Sequence, residues 1–311
     1  IPNSINVAAK NKNEGVWPVM LTPFTKDNSI DLSGLDQLID WYLAADITGL
    51  FAVCGSSEMF DLNVNERISL ADYTLQSVSN KVPVIVSGVF GDSLDEQIEL
   101  IKIMDGLGAE AVICLVNQFA KENGPSNSWK MNVEYVLKQT DNIKLGLYEC
   151  PLPYHRLLSI EETKWAAETG RFVWMKETSE NPKIFSQKVH AAQNSLLKIL
   201  NADARFLLES LNDGGAGYCG IATNFFPNLL SWMCLHYNDQ NNYVNALQDF
   251  FNKNQPIIDH KYLQNGKVFL QISGLDILTD CRVNSFDFSD LEYNDLNHLR
   301  KNIKQMELAL N

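Results

Sequence analysis

The stretch KLGLYECPLPYHRLLSIEETKWAAETGRFVWMKET, residues 144–178, decides the fold. It opens on Lys144–Tyr148 and closes on Phe172–Lys176, two short runs that are largely apolar. Between them, Ile160–Glu168 spaces its apolar residues as an amphipathic helix does. Short apolar runs on either side of a helix read as strands covered on both faces, the mark of a parallel βαβ unit. Each run ends on a reactive side chain, Tyr148 and Lys176.

The same alternation extends in both directions. Further β-like runs lie at Gly15–Leu21, Gly49–Val53, Val82–Gly88, Ala111–Leu115, Leu197–Asn201 and Gly217–Ala222, which makes eight. Helical patterns separate them at Leu35–Ala45, Asn65–Ser79, Leu94–Leu107, Asn132–Gln139, Pro182–Ala192 and Arg205–Leu211, and Pro227–Tyr237 follows the last strand. Eight strand–helix units with short links predict closure into a (β/α)8 TIM barrel, an α/β fold. Such a barrel takes roughly 250 residues, and residues 15–237 of the 311 are read as the barrel. Residues 1–14 read as a polar N-terminal extension without a signal-peptide core. Residues 238–311 are helical and Asn-rich in pattern, at Tyr243–Phe251, Gly266–Ile272 and Asp287–Leu310, and predict a C-terminal helical appendage.

Composition limits the function. Lys and Arg total 25 against 38 Asp and Glu, a net charge of −13. That argues against a nucleic-acid binder or an anionic-membrane binder, since both need a basic face. The apolar runs fall far short of the roughly 18 residues a membrane helix needs. Cys54, Cys114, Cys150, Cys219, Cys234 and Cys281 form no CxxC pair, which predicts free thiols and a cytoplasmic setting.

In a barrel of this type the site lies at the C-terminal ends of the strands. Lys176 closes an otherwise apolar strand. Burial disfavours a charged lysine, and a neutral amine attacks carbonyls. The competing reading is a structural lysine paired with Glu177. Tyr148 closes the neighbouring strand, where a phenol relays protons or simply packs. Gly55-Ser56-Ser57-Glu58, after the second strand, offers backbone N–H groups and hydroxyls to a carboxylate, or makes a plain turn. Gly215-Ala216-Gly217-Tyr218-Cys219-Gly220 matches GxGxxG but enters a strand, so it fails the context of a dinucleotide site. Ser195–Lys198 matches SxxK without companion motifs. The five histidines lack metal-ligand spacing, and no metal or cofactor is expected.

Together these residues resemble the dihydrodipicolinate synthase/N-acetylneuraminate lyase family of Schiff-base aldolases. Val16–Phe24 resembles the opening strand with its Thr-Pro-Phe, and Gly55–Glu58 resembles the pyruvate-binding loop. Leu62 with Glu66-Arg67, Tyr148-Glu149-Cys150-Pro151, Met175-Lys176-Glu177-Thr178, and Gly214–Gly217 with Asn224 follow in family order. The resemblance implies an imine on Lys176 with pyruvate or another 2-oxo acid, a proton relay through Tyr148, and Ser56 and Ser57 holding the carboxylate. It also places Gly55, Cys219, Asp203 and Glu149 among the substrate contacts. An aldehyde or sugar acid would be the second small-molecule substrate, and the assembly a homotetramer. An N-acetylneuraminate lyase, a dihydrodipicolinate synthase proper and a non-catalytic barrel binding a 2-oxo acid are the alternatives.

The departures bear on substrate identity. The serine loop lacks one residue, the glycine before Glu58. Pro153 stands where the synthases carry a carboxylate-binding arginine, with Arg156 three residues on as a candidate substitute. Gln118 and Phe119 replace the tyrosine pair that donates a phenol across the subunit interface. Asp203 matches a sugar contact of the neuraminate lyases, with Ala204 beside it in place of an acid. Glu149 replaces an asparagine and puts an extra acid near the imine, as a general acid, a substrate contact or a bystander.

Overall fold

The computed structural model describes residues 13–88, 91, 93–239 and 242–310. Of the N-terminal extension, residues 1–12 lie outside the described residues. Eight parallel strands are present: β1 (Gly15–Val16), β2 (Leu50–Ala52), β3 (Val84–Ser87), β4 (Ala111–Leu115), β5 (Leu145–Tyr148), β6 (Phe172–Glu177), β7 (Lys198–Asn201) and β8 (Gly217–Tyr218). Their order is β1-β8-β7-β6-β5-β4-β3-β2. A parallel bridge between Val19 and Phe51, with the Met20 N–H donating to the Phe51 carbonyl at 3.0 Å, joins the first strand to β2 and closes the ring. The architecture is therefore the (β/α)8 barrel that the alternation predicts. Strands β2 to β5 are buried at every position, as strands clad by helices outside and side chains inside must be.

The barrel helices are α1 (Leu32–Leu43), α2 (Val64–Val78), α3 (Leu94–Gly106), α4 (Ser126–Gln139), α5 (Ile160–Glu168), α6 (Pro182–Ala191), α7 (Leu207–Asn212) and α8 (Pro227–His236). Asn63, Ser93 and Ser159 start α2, α3 and α5 through reciprocal caps with Glu66, Glu96 and Glu162. The strands that fall furthest short of their apolar runs are the first and the last. The first is regular only over Gly15–Val16, and β8 stops at Tyr218 because the backbone coils into a 3-10 turn at Ile221–Asn224.

Inside the barrel, Trp17, Phe51, Tyr148 and Trp174 meet edge to face, with ring centres 5.5–6.1 Å apart for the pairs Phe51–Trp174, Phe51–Tyr148 and Trp17–Trp174. Glycine makes room for these rings. A Cβ at Gly49 would stand 2.4 Å from the Trp17 ring and 2.7 Å from the Pro83 carbonyl oxygen.

The C-terminal region forms α9 (Asn242–Asp259), α10 (Gln264–Ile272) and α11 (Asp290–Leu310), as the helical pattern predicts. It packs on the barrel through aromatic contacts: Phe226 stacks on Phe251 at 5.4 Å, and Phe225 meets Phe269 at 5.1 Å. Among the described residues, no helix is long and apolar enough to cross a membrane.

Two glycines give opposite expectations. Gly49→Ala should cost about 1–3 kcal/mol by overpacking. At Gly106, in α3, a Cβ meets nothing within 4 Å, so Gly106→Ala should gain about 0.5–1 kcal/mol through helix propensity. Urea denaturation of both variants checks the signs, and a neutral Gly49→Ala would contradict the packing described.

Candidate active site

Lys176 is the penultimate residue of β6 and Tyr148 the last of β5, and the two are register partners. Alternation along β6 puts Trp174 and Lys176 on one face and Met175 and Glu177 on the other. Since Trp174 belongs to the aromatic interior, Lys176 rises from that floor at the C-terminal rim. Its Nζ lies 4.7 Å from the centre of the Tyr148 ring. Both residues are buried, 6% and 5% exposed. Burial first, then the neighbouring Cys150 and Cys54 thiols, pushes the Tyr148 phenol well above its usual range, so it stays protonated and can donate. The Lys176 charge also bears on the buried thiols of Cys150 and Cys219. Burial raises Cys219 to about 12, so it stays a neutral thiol within reach of the Lys176 charge.

The carboxylates adjacent in sequence belong to another lysine. Lys188 of α6 donates to Glu149 Oε1 at 2.6 Å and to Glu177 Oε1 at 2.8 Å, and all three side chains are fully buried. The partner weighed for Lys176 is thus taken, and Lys176 has no ion pair among the described residues. Glu149 also accepts from the Leu158 N–H at 2.8 Å and the Thr178 N–H at 3.1 Å. In this structure its oxygens are engaged in the layer between the sheet and α6, by Lys188 and the two backbone N–H groups. Two buried carboxylates sharing one ammonium cannot both ionise cheaply. Burial and the Glu177 charge push Glu149 up to about 7, against the pull of Lys188.

The loop after β2 is a 3-10 turn over Gly55–Ser57. A Cβ at Gly55 would lie 3.2 Å from the Tyr148 hydroxyl, so the turn abuts the phenol. The N–H groups of Gly55 and Ser56 have no acceptor among the described residues, which leaves two donors at the head of the turn. The missing glycine is replaced by conformation. Glu58 itself adopts the left-handed region, at φ 58° and ψ 38°. A non-glycine residue there costs about 1–2 kcal/mol, and Glu58 is held by a buried ion pair with Lys267 at 2.8 Å and by the Arg282 and Val283 N–H groups at 2.5 and 3.1 Å. The two serines then differ. Ser57 Oγ donates to the Met20 carbonyl at 2.7 Å and accepts from the Cys54 N–H at 3.1 Å, so its only hydrogen is used inside the protein. Ser56 Oγ meets the hydroxyl of Tyr262 at 2.8 Å.

The remaining expected residues are placed as follows. Asp203, after β7, holds both its oxygens against Arg205, at 2.9 Å and 3.0 Å to Nε and 2.6 Å to Nη2. Arg156, the candidate substitute for the missing arginine, is engaged within the protein: Nη2 donates to Glu162 at 2.6 Å and Nη1 to the Gly124 carbonyl at 3.2 Å. Phe119 is buried and offers no proton. Lys188, Lys267 and Tyr262 were not legible as site residues. Lys188 does share an apolar helix face with Phe185, three residues earlier, which is a usable signal. Tyr262 reaches Ser56 across 206 residues of sequence, and no local pattern announces that.

The sign of one pH effect follows. Because Glu149 is raised above its ordinary 4.5, the folded state holds this proton more tightly than the unfolded chain. Its contribution is present at low pH and is lost as the pH rises from 4.5 to about 7. Between about pH 5 and about pH 7.5 the parent should therefore lose stability relative to Glu149→Gln, by at most about 3 kcal/mol. Parallel stability–pH curves from chemical denaturation would contradict this.

The sequence model of the dihydrodipicolinate synthetase family matches residues 12–305. The 4-hydroxy-tetrahydrodipicolinate synthase of Methanococcoides burtonii is 27% identical over 227 residues, which is 73% of this chain and 76% of that protein. The enzyme of the same name from Archaeoglobus fulgidus is 26% identical over 266 residues, 84% of this chain and 89% of that protein. The solved structure of YagE from E. coli K12, a prophage protein of the dihydrodipicolinic acid synthase family in complex with pyruvate, superposes with a TM-score of 0.83 at 19% identity. That superposition covers 95% of this chain and 99% of the other, and it concerns the fold. With a family match across nearly the whole chain, the protein belongs to the dihydrodipicolinate synthetase family, a family of lyases and synthases.

Proposed function

We propose that the protein is a Schiff-base lyase or aldolase that makes or breaks a C–C bond between pyruvate, or another 2-oxo acid, and an aldehyde. The observation that carries this reading is Lys176, which has no ion pair among the described residues. It is a buried lysine beside a phenol, and both nearby carboxylates are bonded to Lys188 instead. A lysine not held as an ammonium by a carboxylate can present its amine to a carbonyl carbon. The amine of Lys176 adds to the keto carbon, and the Tyr148 phenol protonates the departing hydroxyl, which leaves as water. The resulting iminium withdraws electrons from the adjacent carbon. That carbon then loses a proton or an aldehyde to give an enamine. The bound pyruvate of YagE and the synthase names of the relatives support the 2-oxo acid half of the reaction.

The aldehyde half differs from a synthase. The loop after Tyr148 carries an exposed Pro153, and Arg156 is bound to Glu162 and Gly124. No arginine of that loop remains for a second carboxylate, which favours an aldehyde lacking one, such as a sugar-derived aldehyde.

Exchange of the pyruvate methyl hydrogens with deuterated water reads enamine formation without knowledge of the aldehyde. The parent should catalyse it. Lys176→Ala should abolish it, and Tyr148→Phe should slow it by about 10²-fold or more. Exchange at the parent rate in Lys176→Ala, followed by NMR, would overturn the mechanism.

A further inference from the structure

The Ser56 hydroxyl ends a buried chain of hydrogen bonds whose direction can be worked out. Asn224 Nδ2 lies 3.0 Å from the Val19 carbonyl oxygen. A carbonyl only accepts, so the amide nitrogen must face Val19, which settles the orientation of the Asn224 side chain. Asn224 Oδ1 then accepts from the Tyr42 hydroxyl, which itself accepts from the Leu21 N–H at 3.4 Å. The second hydrogen on Asn224 Nδ2 goes to the Tyr262 oxygen at 2.7 Å. Tyr262 has one hydrogen of its own, and Ser56 Oγ, at 2.8 Å, is its acceptor among the described residues. From Leu21 through Tyr42, Asn224 and Tyr262, each donor points toward Ser56. Its oxygen is occupied as an acceptor, and its own hydrogen has no acceptor among the described residues. Ser57 next to it has already given its hydrogen to Met20.

From this we infer that Tyr262, supplied by the C-terminal region, is a positioning residue that makes Ser56 a hydrogen donor, so that the site selects the ionised carboxylate of a 2-oxo acid. The inference rests on the Schiff-base reading and deepens it. An ionised carboxylate accepts only and binds such a donor through a charge-assisted bond. The free N–H groups of Gly55 and Ser56 lie on the same turn and have the same polarity. A neutral ester keeps the ketone and forms the same imine, but it offers the donor a far weaker acceptor.

The test compares borohydride trapping of pyruvate and methyl pyruvate, read by intact mass, in the folded full chain. The parent should trap the acid in clear preference to the ester. Tyr262→Phe should cut that acid-over-ester preference about tenfold, the scale of one hydrogen bond to a charged group. The ester rate should change little. Because Tyr262 acts through Ser56, Ser56→Ala should show the same loss, and the double variant should lose no more than either single one. Ser56→Ala keeps both buried phenols and removes only the last oxygen of the chain, so it still tests the Ser56 donor on which the proposal depends if Tyr262→Phe does not fold. A merely structural role would depress both substrates alike, and an unchanged preference in either variant overturns the proposal. Absence of any adduct in the parent is a different failure, since it overturns the imine chemistry as well.

Discussion

The site depends on one buried pairing, Lys188 with Glu149 and Glu177. Strand alternation places a carboxylate directly after each reactive residue, Glu149 after Tyr148 and Glu177 after Lys176, and points both toward α6. Without a cation there, two fully buried carboxylates would face each other unneutralised. Lys188 supplies that cation. It gathers the negative charge behind the sheet, and the barrel interior in front holds a lysine, a phenol and neutral thiols. Breaking such a buried pair by removing one partner typically costs about 3–5 kcal/mol. The arrangement therefore links the stability of the barrel wall to the availability of the amine.

A second tie runs from the C-terminal region to the loop after β2. The loop is a residue short, and Glu58 bears the left-handed conformation that a glycine would take without strain. Lys267, together with the N–H groups of Arg282 and Val283, compensates that strain. Arg282 extends the clamp with two bonds to Glu66, at 2.7 and 2.9 Å. The same region supplies Tyr262. The helical appendage is thus part of how the turn at Gly55–Ser57 is shaped and polarised, and the barrel alone would lack both devices.

Much of this was legible in the sequence where the signal is local. Apolar runs of five to seven residues mark the strands, and the βαβ unit at 144–178 by itself sets Tyr148 beside Lys176, as the register confirms. Periodicity is less informative at ends. The runs Gly15–Leu21 and Gly217–Ala222 read as full strands because apolarity reports burial and not hydrogen-bonding geometry. What remained hidden is the identity of partners. Ser56 and Ser57 are adjacent and chemically alike, and only the Met20 carbonyl and the Tyr262 hydroxyl separate their roles. Glu149 and Asp203 carry acceptors at positions that suit a substrate, yet Lys188 and Arg205 occupy them. Arg156 likewise sits close to the right place in sequence and spends its guanidinium on Glu162. These are contacts set by tertiary packing, and residue type and spacing do not encode them.

The division of labour between the two lysines is the central claim, and peptide mapping after borohydride reduction with pyruvate or a longer 2-oxo acid tests it most directly. The account predicts a single covalent adduct, on Lys176, with Lys188 unmodified. An adduct on Lys188 or any other lysine in place of Lys176, or no adduct with any 2-oxo acid, would contradict it.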